Sequence, residues 1–436
     1  MGTKDRKCMP RQKNSKKLII SASITGNVIE WYEFGLFAYL TPTISKLFFP
    51  PSFSNLSSIF SVLFIFAIGF VSRPVGGILF GYIGDTFGRR ISLLSSVIMI
   101  IFPSFIIGLL PTYEQIGYWA PICLAFYRIL QGIPVGGECP GTICYLIECS
   151  SLKDRGFMGS FAFFGSQIGI LLNIIECYIL DNVLTPQQLL HWGWRCSFMI
   201  GGIIGLLGLF LRYQLKETPL FLTLEKQDHV AKAPLHKLFK ECKHKMIMGF
   251  FVGALPIGGF YQIFVFTSIY LEEFFHLTSN QGLILNGAFL LVSTFILPLV
   301  GKLSATFSIK NLFLHSALYV CVIAFPFYFF VIQGHFIAAM LMALLMVLCI
   351  SVQFALISQA MAGLFSTSVR FTGLALSYNC SNIIFAGVFP LLSIFLVKIT
   401  GFLYAPAFSI FVLALISCLT VIRLKQRGGE LEVQNG

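Results

Sequence analysis

FAIGFVSRPVGGILFGYIGDTFGRR, residues 66–90, is an apolar run that ends abruptly in charge. Gly69, Arg73, Gly77 and Gly81 recur every four residues, so on a helix they share one face. Glycines at that spacing form a groove that admits a second helix, and an arginine on the same stripe points into protein, away from lipid. Past Gly84 the chain turns polar at Asp85, Gly88, Arg89 and Arg90, the composition of a sharp reversal at a membrane surface. The segment predicts one crossing within a packed bundle of many.

The rest of the chain repeats that pattern. Of 436 residues, 56% are hydrophobic and 11% charged, and mean hydropathy is +0.84, which excludes a soluble multidomain protein. About 20 apolar residues cross a bilayer as a helix. Twelve windows qualify, at 19–40, 56–83, 91–110, 118–147, 157–179, 194–213, 246–271, 282–303, 311–332, 335–360, 369–396 and 401–422. The fold class expected is an all-α polytopic membrane protein with twelve transmembrane helices in two six-helix bundles.

Thirty basic and 18 acidic residues leave a net charge of +12. The excess lies in the N-terminal tail (Lys4, Arg6, Lys7, Arg11, Lys13, Lys16, Lys17), in the stretch from Arg212 to Lys245, and at Arg423, Lys425 and Arg427. Loops 84–90, 148–156, 212–245, 302–310 and 361–370 fall on the same side as that tail, whereas the opposite loops hold essentially only Lys46 and Lys398. This positive-inside pattern predicts both termini in the cytoplasm and, with no basic surface interleaved with aromatics outside the spans, excludes nucleic acid. The expected divisions are a tail at 1–18, a first bundle at 19–213, a linker at 214–245, a second bundle at 246–422 and a tail at 423–436. The linker reads as a hinge or as a plain tether. No cleavable signal peptide is evident, and most of the twelve cysteines lie inside apolar runs, without the spacing of a metal site.

An ionised side chain at a helix centre costs about 2.5–3.5 kcal/mol, so each one retained there marks a functional site. The first half holds Glu30, Glu33, Arg73, Arg128 and Glu138, with Glu176 and Arg195 nearer the outer ends. The second offers neutral groups: Tyr261, Gln262, Asn286, Gln353, Gln359, Tyr378, Asn379 and Asn382. Glu30 and Glu33 share a helix face, and two neighbouring carboxylates in a dry cavity cannot ionise equally easily, so one carries a proton. Glu30, Glu33, Arg73, Arg128 and Glu138 are therefore the expected proton-coupling residues. The same acids also fit a static ion pair pinning the first span to Arg73 or Arg128. Tyr32, Gln131, Tyr261, Gln262 and Asn379 are placed to orient a polar substrate. Gly81, Asp85, Gly88, Arg89 and Arg90, with Glu148 as acid, form the expected cytoplasmic gate. Asp85 suits a neighbouring helix N-terminus.

The loop GYIGDTFGRR resembles the major facilitator superfamily pattern GxxxD(R/K)xGR(R/K), with Thr86 in place of a basic residue. Its counterpart GKLSATFSIK has Ala305 where the acid would stand, which leaves the latch to the first half. GNVIEWYEF (26–34), SRPVGGILFGYIGD (72–85), RILQGIPVGGE (128–138), WGWRCSF (192–198), LKETPLF (215–221) and LFSTSVRFTGLALSYN (364–379) together resemble the metabolite:proton symporter family, which includes carriers of proline, betaine, 2-oxoglutarate, citrate and shikimate. Glu33 stands where that family usually has aspartate, and Ala362 and Gly363 replace its usual acid.

The resemblance implies a proton-coupled symporter of a small carboxylate-bearing or zwitterionic metabolite in a bacterial cytoplasmic (inner) membrane. Its halves would rock about a central site, with substrate, protons and lipid as partners, no cofactor or metal, and no obligate protein partner. An uncoupled facilitator and a non-transporting sensor are the alternatives. HExxH, GxSxG and phosphate-loop motifs are missing from the sequence, so an enzyme is not expected.

Overall fold

The computed structural model describes residues 15–50, 55–427 and 430–433. Lys4, Arg6, Lys7, Arg11 and Lys13 of the expected basic tail lie outside the described residues. The first half consists of α1 (Lys16–Tyr39), α2 (Asn55–Val71), α3 (Arg73–Thr86), α4 (Arg89–Leu109), α5 (Trp119–Glu148), α6 (Arg155–Val183) and α7 (Trp194–Tyr213). Two short helices, α8 (Pro219–Lys226) and α9 (Pro234–Glu241), occupy the linker. The seventh crossing combines α10 (Lys243–Val252), α11 (Ala254–Tyr261) and α12 (Thr267–Phe275), with a π-helical turn at Gln262–Phe266. Then follow α13 (Ser279–Leu303), α14 (Ile309–Ile332) and α15 (Phe336–Gly363). The eleventh crossing joins α16 (Arg370–Ser381) to α17 (Phe389–Thr400) through a π-helical stretch at Asn382–Val388, and α18 (Ala405–Ile422) is the twelfth. The tail beyond it opens as a small antiparallel hairpin, β1 (Leu424–Arg427) against β2 (Glu430–Val433).

Local sequence sets many of these boundaries. Ser15, Thr218, Thr278 and Ser308 cap α1, α8, α13 and α14 by accepting a backbone N–H with the side-chain hydroxyl. Proline occupies the first turn of α3, α8, α9, α17 and α18, where a missing N–H costs nothing. Nine helical stretches among the described residues are long and apolar enough to cross a membrane, with mean hydropathy from 1.6 to 2.6. The other three crossings, α1, the α2–α3 pair and α5, are those that carry Glu30, Glu33, Arg73, Arg128 and Glu138. The second crossing breaks at Ser72, so Arg73 opens a new helix.

Glycines let the helices approach closely. A Cβ on Gly76 would lie 1.7 Å from the Ile133 carbonyl oxygen, and one on Gly136 would lie 1.9 Å from that of Arg73, so α3 and α5 touch backbone to backbone. The opposite face of α3 meets the second half: a Cβ on Gly81 would come within 2.8 Å of Thr372 Cα, and one on Gly84 within 2.1 Å of the Phe371 ring. A second seam joins α6 to α13, where a Cβ on Gly301 would meet the Gly156 carbonyl oxygen at 2.6 Å. The linker packs over one end of the bundle. There Thr86 donates to the Ala231 carbonyl (3.3 Å), Lys237 to Ser368 (3.2 Å), and Leu238 is fully buried.

Candidate functional site

Glu30, Glu33, Phe34, Gly69, Arg73, Ile100, Arg128, Gln131, Gly132 and Val135 line one cavity, contributed entirely by the first half. The i, i+3 spacing on α1 and the glycine stripes of α2, α3 and α5 bring them together. Arg128 Nη1 donates to Gln131 Oε1 at 2.5 Å, and Gln131 Nε2 donates to Glu33 Oε2 at 3.0 Å and Ser104 Oγ at 2.9 Å. The glutamine thus relays between guanidinium and carboxylate. The Arg128 guanidinium carbon also lies 4.3 Å from the Phe37 ring centroid, and that of Arg73 lies 5.4 Å from Phe34. Among the described residues, the buried Glu30 Oε2 and Glu33 Oε1 have no hydrogen-bond partner. The cavity measures about 20 Å³, room for about one water, so this conformation holds the site closed.

Rings of the second half pack against α1 beside the cavity. Trp31 packs against Phe34 (5.6 Å between centroids), Phe260 (6.2 Å) and Tyr261 (6.4 Å). Tyr261 lies in the field of Arg73 and Glu30, and Tyr378 in that of Glu30 and Cys139.

Several expected positions are turned elsewhere. Tyr32 faces away from the cavity and donates to Glu176 Oε2 and the Ser197 carbonyl, between α6 and α7. Gln262 faces the core of the second bundle and donates to Ser393 at 3.3 Å. Asn379 acts as a strap, donating from α16 to the Gly136 carbonyl at 2.7 Å. Glu138 is held by Arg212 through both carboxylate oxygens and by Ser96 at 2.7 Å. Arg212 is 1% exposed, a buried counter-ion that reads in sequence as one more basic residue beside the linker. Its hidden signal is Gly26, one turn before Glu30: a Cβ there would lie 1.8 Å from Arg212 Nη2 and 2.3 Å from Glu138 Oε1.

The gate cluster forms at the basic-loop end and spans both halves. Asp85 accepts from the Phe371 N–H (3.2 Å), the Thr372 N–H (2.9 Å) and the Thr372 hydroxyl (2.8 Å), placing its charge on the N-terminus of α16. Arg89 pairs with Asp85 (3.3 Å) and with Glu148 (3.0 Å), and donates across to the Thr367 carbonyl at 2.5 Å. Arg370 reaches back from the second half to Glu148 at 3.0 Å. The second half thus supplies the Phe371 and Thr372 N–H groups, the Thr372 hydroxyl, Arg370 and the Thr367 carbonyl, which corrects the expectation of a latch built from the first half alone. Arg90 takes no acid; it donates to the Tyr213 carbonyl at 2.9 Å.

Glu217, within LKETPLF, accepts from the Arg89 N–H at 3.1 Å and the Arg90 N–H at 3.0 Å and so caps α4. Burial holds its carboxyl above the ordinary glutamate range. Gly88 has φ +113, and a Cβ there would strike Glu217 at 2.4 Å, so this turn needs glycine twice over. At the periphery Lys16 pairs with Asp154 at 3.0 Å and draws its carboxyl below the usual range. Among the described residues, no group of three or more His, Cys, Asp or Glu side chains is placed to hold a metal ion.

Comparison with known proteins agrees with this architecture. Residues 18–248 match the family model "Sugar (and other) transporter". The chain is 33% identical over 418 residues to the glycine betaine/proline/ectoine/pipecolic acid transporter OusA of Dickeya dadantii, covering 93% of this chain and 83% of that one. It is 32% identical over 423 residues to the proline/betaine transporter of Salmonella typhimurium, covering 94% and 83%. In structure it resembles the major facilitator superfamily proton:xylose symporter XylE bound to 6-bromo-6-deoxy-D-glucose, with TM-score 0.71, 20% identity, and coverage of 93% and 94%. The chain is a multi-pass membrane transporter, not an enzyme, and it belongs to the metabolite:proton symporter family of the major facilitator superfamily.

Proposed function

We propose that the protein is a proton-coupled symporter that imports a small zwitterion of the betaine and proline type across a bacterial cytoplasmic membrane by alternating access. The carrying observation is that two carboxylates, Glu30 and Glu33, and two guanidinium groups, Arg73 and Arg128, line a single closed cavity. Such a lining answers both ends of a zwitterion: an arginine for its carboxylate, and an acid beside aromatic walls for its ammonium group. Phe34 supplies such a wall, with Trp31 packed on it and Tyr261 on Trp31. Relatives named for betaine, proline, ectoine and pipecolic acid transport support the same class.

Glu33 is the proton carrier in this reading. When it is protonated, Gln131 and Arg128 are released from it and become available to a substrate carboxylate; when it is ionised, it takes them back. Proton entry supplies about 2.3 kcal/mol per charge per 100 mV, which at roughly 150 mV supports on the order of a few-hundredfold accumulation. The basic-loop end, and with it both termini, faces the cytoplasm. Asp85, Arg89, Glu148 and Arg370 seal that end while the site loads from outside. This reading needs no cofactor and no obligate protein partner.

The test is uptake into proteoliposomes under an imposed pH gradient, acid outside, against L-proline, glycine betaine, 2-oxoglutarate, citrate and shikimate, repeated with Glu33→Gln. Gradient-driven accumulation of a zwitterion, with exchange but no accumulation in Glu33→Gln, is the expected result. Uptake indifferent to the gradient overturns coupling, and transport of dicarboxylates alone overturns the substrate class.

A further inference from the structure

The α1–α6 seam carries titratable groups that the central site does not use. Tyr39 donates to Asp181 Oδ1 at the outer end, and Tyr32, two turns deeper on α1, donates to Glu176 Oε2. These are two phenol–carboxylate pairs stacked along one contact. The contact is tight: a Cβ on Gly169 of α6 would lie 2.5 Å from the Val28 carbonyl oxygen, and one on Gly165 would lie 2.7 Å from that of Ile24.

Glu33, buried to 2% exposure, follows Tyr32 directly on α1. Its Oε2 faces the cavity and accepts from Gln131, while its Oε1 has no hydrogen-bond partner. The second oxygen faces α7 beside Tyr32: a Cβ placed on Gly201 of α7 would lie 2.0 Å from Glu33 Oε1 and 3.0 Å from the Tyr32 ring. Glu176 repeats the arrangement: one oxygen is bound by Tyr32, and the other is buried and unpartnered. Two carboxylate oxygens without donors thus flank one tyrosine. An acceptor left dry in this way is costly unless a proton visits it.

We propose that this seam is the route by which protons reach Glu33 from the outer face, passing from Asp181 at its exposed mouth to Glu176. This deepens the symporter reading and rests on it. In the last step the Glu176 carboxyl gives up its proton and the Glu33 carboxylate takes it, so one negative charge moves from the cavity wall to the seam and nothing else changes. The ionisable groups facing Glu176 are Tyr32, Glu33 and Tyr39 from α1 and Cys177 from its own helix; α7 contributes the Ser197 carbonyl, which accepts from Tyr32. Arg195 is turned away onto the Gly108 and Leu110 carbonyls, so it does not neutralise the acid. A route separate from the substrate's path lets Glu33 load while the cavity is closed over its cargo.

Glu176→Gln keeps the shape and a partner for Tyr32 but cannot pass a proton. In proteoliposomes with glycine betaine as probe, its pH-gradient-driven uptake should fall about tenfold or more, while exchange at equal pH stays within about twofold of wild type. Asp181→Asn, on the exposed mouth, should slow driven uptake by about threefold without touching exchange. Driven uptake by Glu176→Gln within about twofold of wild type overturns the route, and so does a parallel loss of exchange, which would make Glu176 a prop for the site. Wild-type protein that fails to respond to the gradient overturns the symporter reading itself and the route with it, a result distinct from a driven wild type with an unaffected variant.

Discussion

Asp85→Asn offers a quantitative test of the gate. Three bonds to the Asp85 carboxylate cross between the halves, from the Phe371 N–H at 3.2 Å, the Thr372 N–H at 2.9 Å and the Thr372 hydroxyl at 2.8 Å. They exist only while the basic-loop end is closed. The ion pair to Arg89 lies within the first half and survives opening, so it cancels to first order. An asparagine has one acceptor oxygen. If that oxygen keeps both Thr372 donors, its amide faces the Phe371 N–H and that bond is lost. Each surviving bond drops from charge-assisted to neutral strength, a loss of about 1 kcal/mol, and the whole change weakens closure by about 3 kcal/mol.

That figure corresponds to a roughly 150-fold rise in the open population. Cys144 is a native reporter, fully buried behind the gate with its thiol 3.5 Å from Glu148 Oε1. In detergent-solubilised protein, with labelling resolved by peptide mass spectrometry, its maleimide reaction rate should rise on the order of a hundredfold in Asp85→Asn. A rate within about threefold of wild type would falsify the assignment of Asp85 to closure.

Other consequences are accessible to stability measurements. Glu138→Gln and Arg212→Met should each lower the thermal midpoint in detergent by the equivalent of about 3–5 kcal/mol, because each strands a buried charge, and the double variant should recover most of the loss. Losses that simply add in the double variant would show that the pair does not act as a unit. Glu217 tests a pH dependence: its carboxyl is held above the ordinary value of 4.5 by burial, so the folded protein binds that proton more tightly than the unfolded chain does. Its contribution to stability is therefore complete below that value and is lost as pH rises through the elevated one. Glu217→Gln should flatten the profile of midpoint against pH over that interval; an unchanged slope refutes the linkage.

Much of this site is legible in sequence because the membrane makes charge expensive. Glu30, Glu33, Arg73 and Arg128 stand out against oil, and the four-residue glycine spacing predicts which way the arginines face. Asp85 at a helix N-terminus follows from the loop chemistry alone. Arg212 escapes notice because it ends an apolar run beside a basic loop, where positive-inside signalling accounts for it fully. Tyr32 and Gln262 are misread for another reason: helical periodicity places a residue on a face only within a few tens of degrees, and Gln262 opens a π-helical turn that shifts the register of its crossing. Arg370 and Glu217 acquire their roles only through contacts from distant parts of the chain, Arg370 to Glu148 and Glu217 to the start of α4, which no local pattern encodes.

The clasp at the basic-loop end is complementary, not duplicated. Its carboxylates, Asp85 and Glu148, come from one bundle, Arg370 and the opening turn of α16 cross from the other to meet them, and Arg89 returns one bond to the Thr367 carbonyl. Two copies of the amino-terminal bundle facing each other would lack Arg370 and the α16 N–H groups, and two carboxy-terminal copies would lack the carboxylates. Neither pseudo-homodimer can shut. Whatever symmetric ancestor the twofold plan implies, the present halves have become obligate mates, and the two bundles expressed as separate polypeptides should reassemble only as the mixed pair.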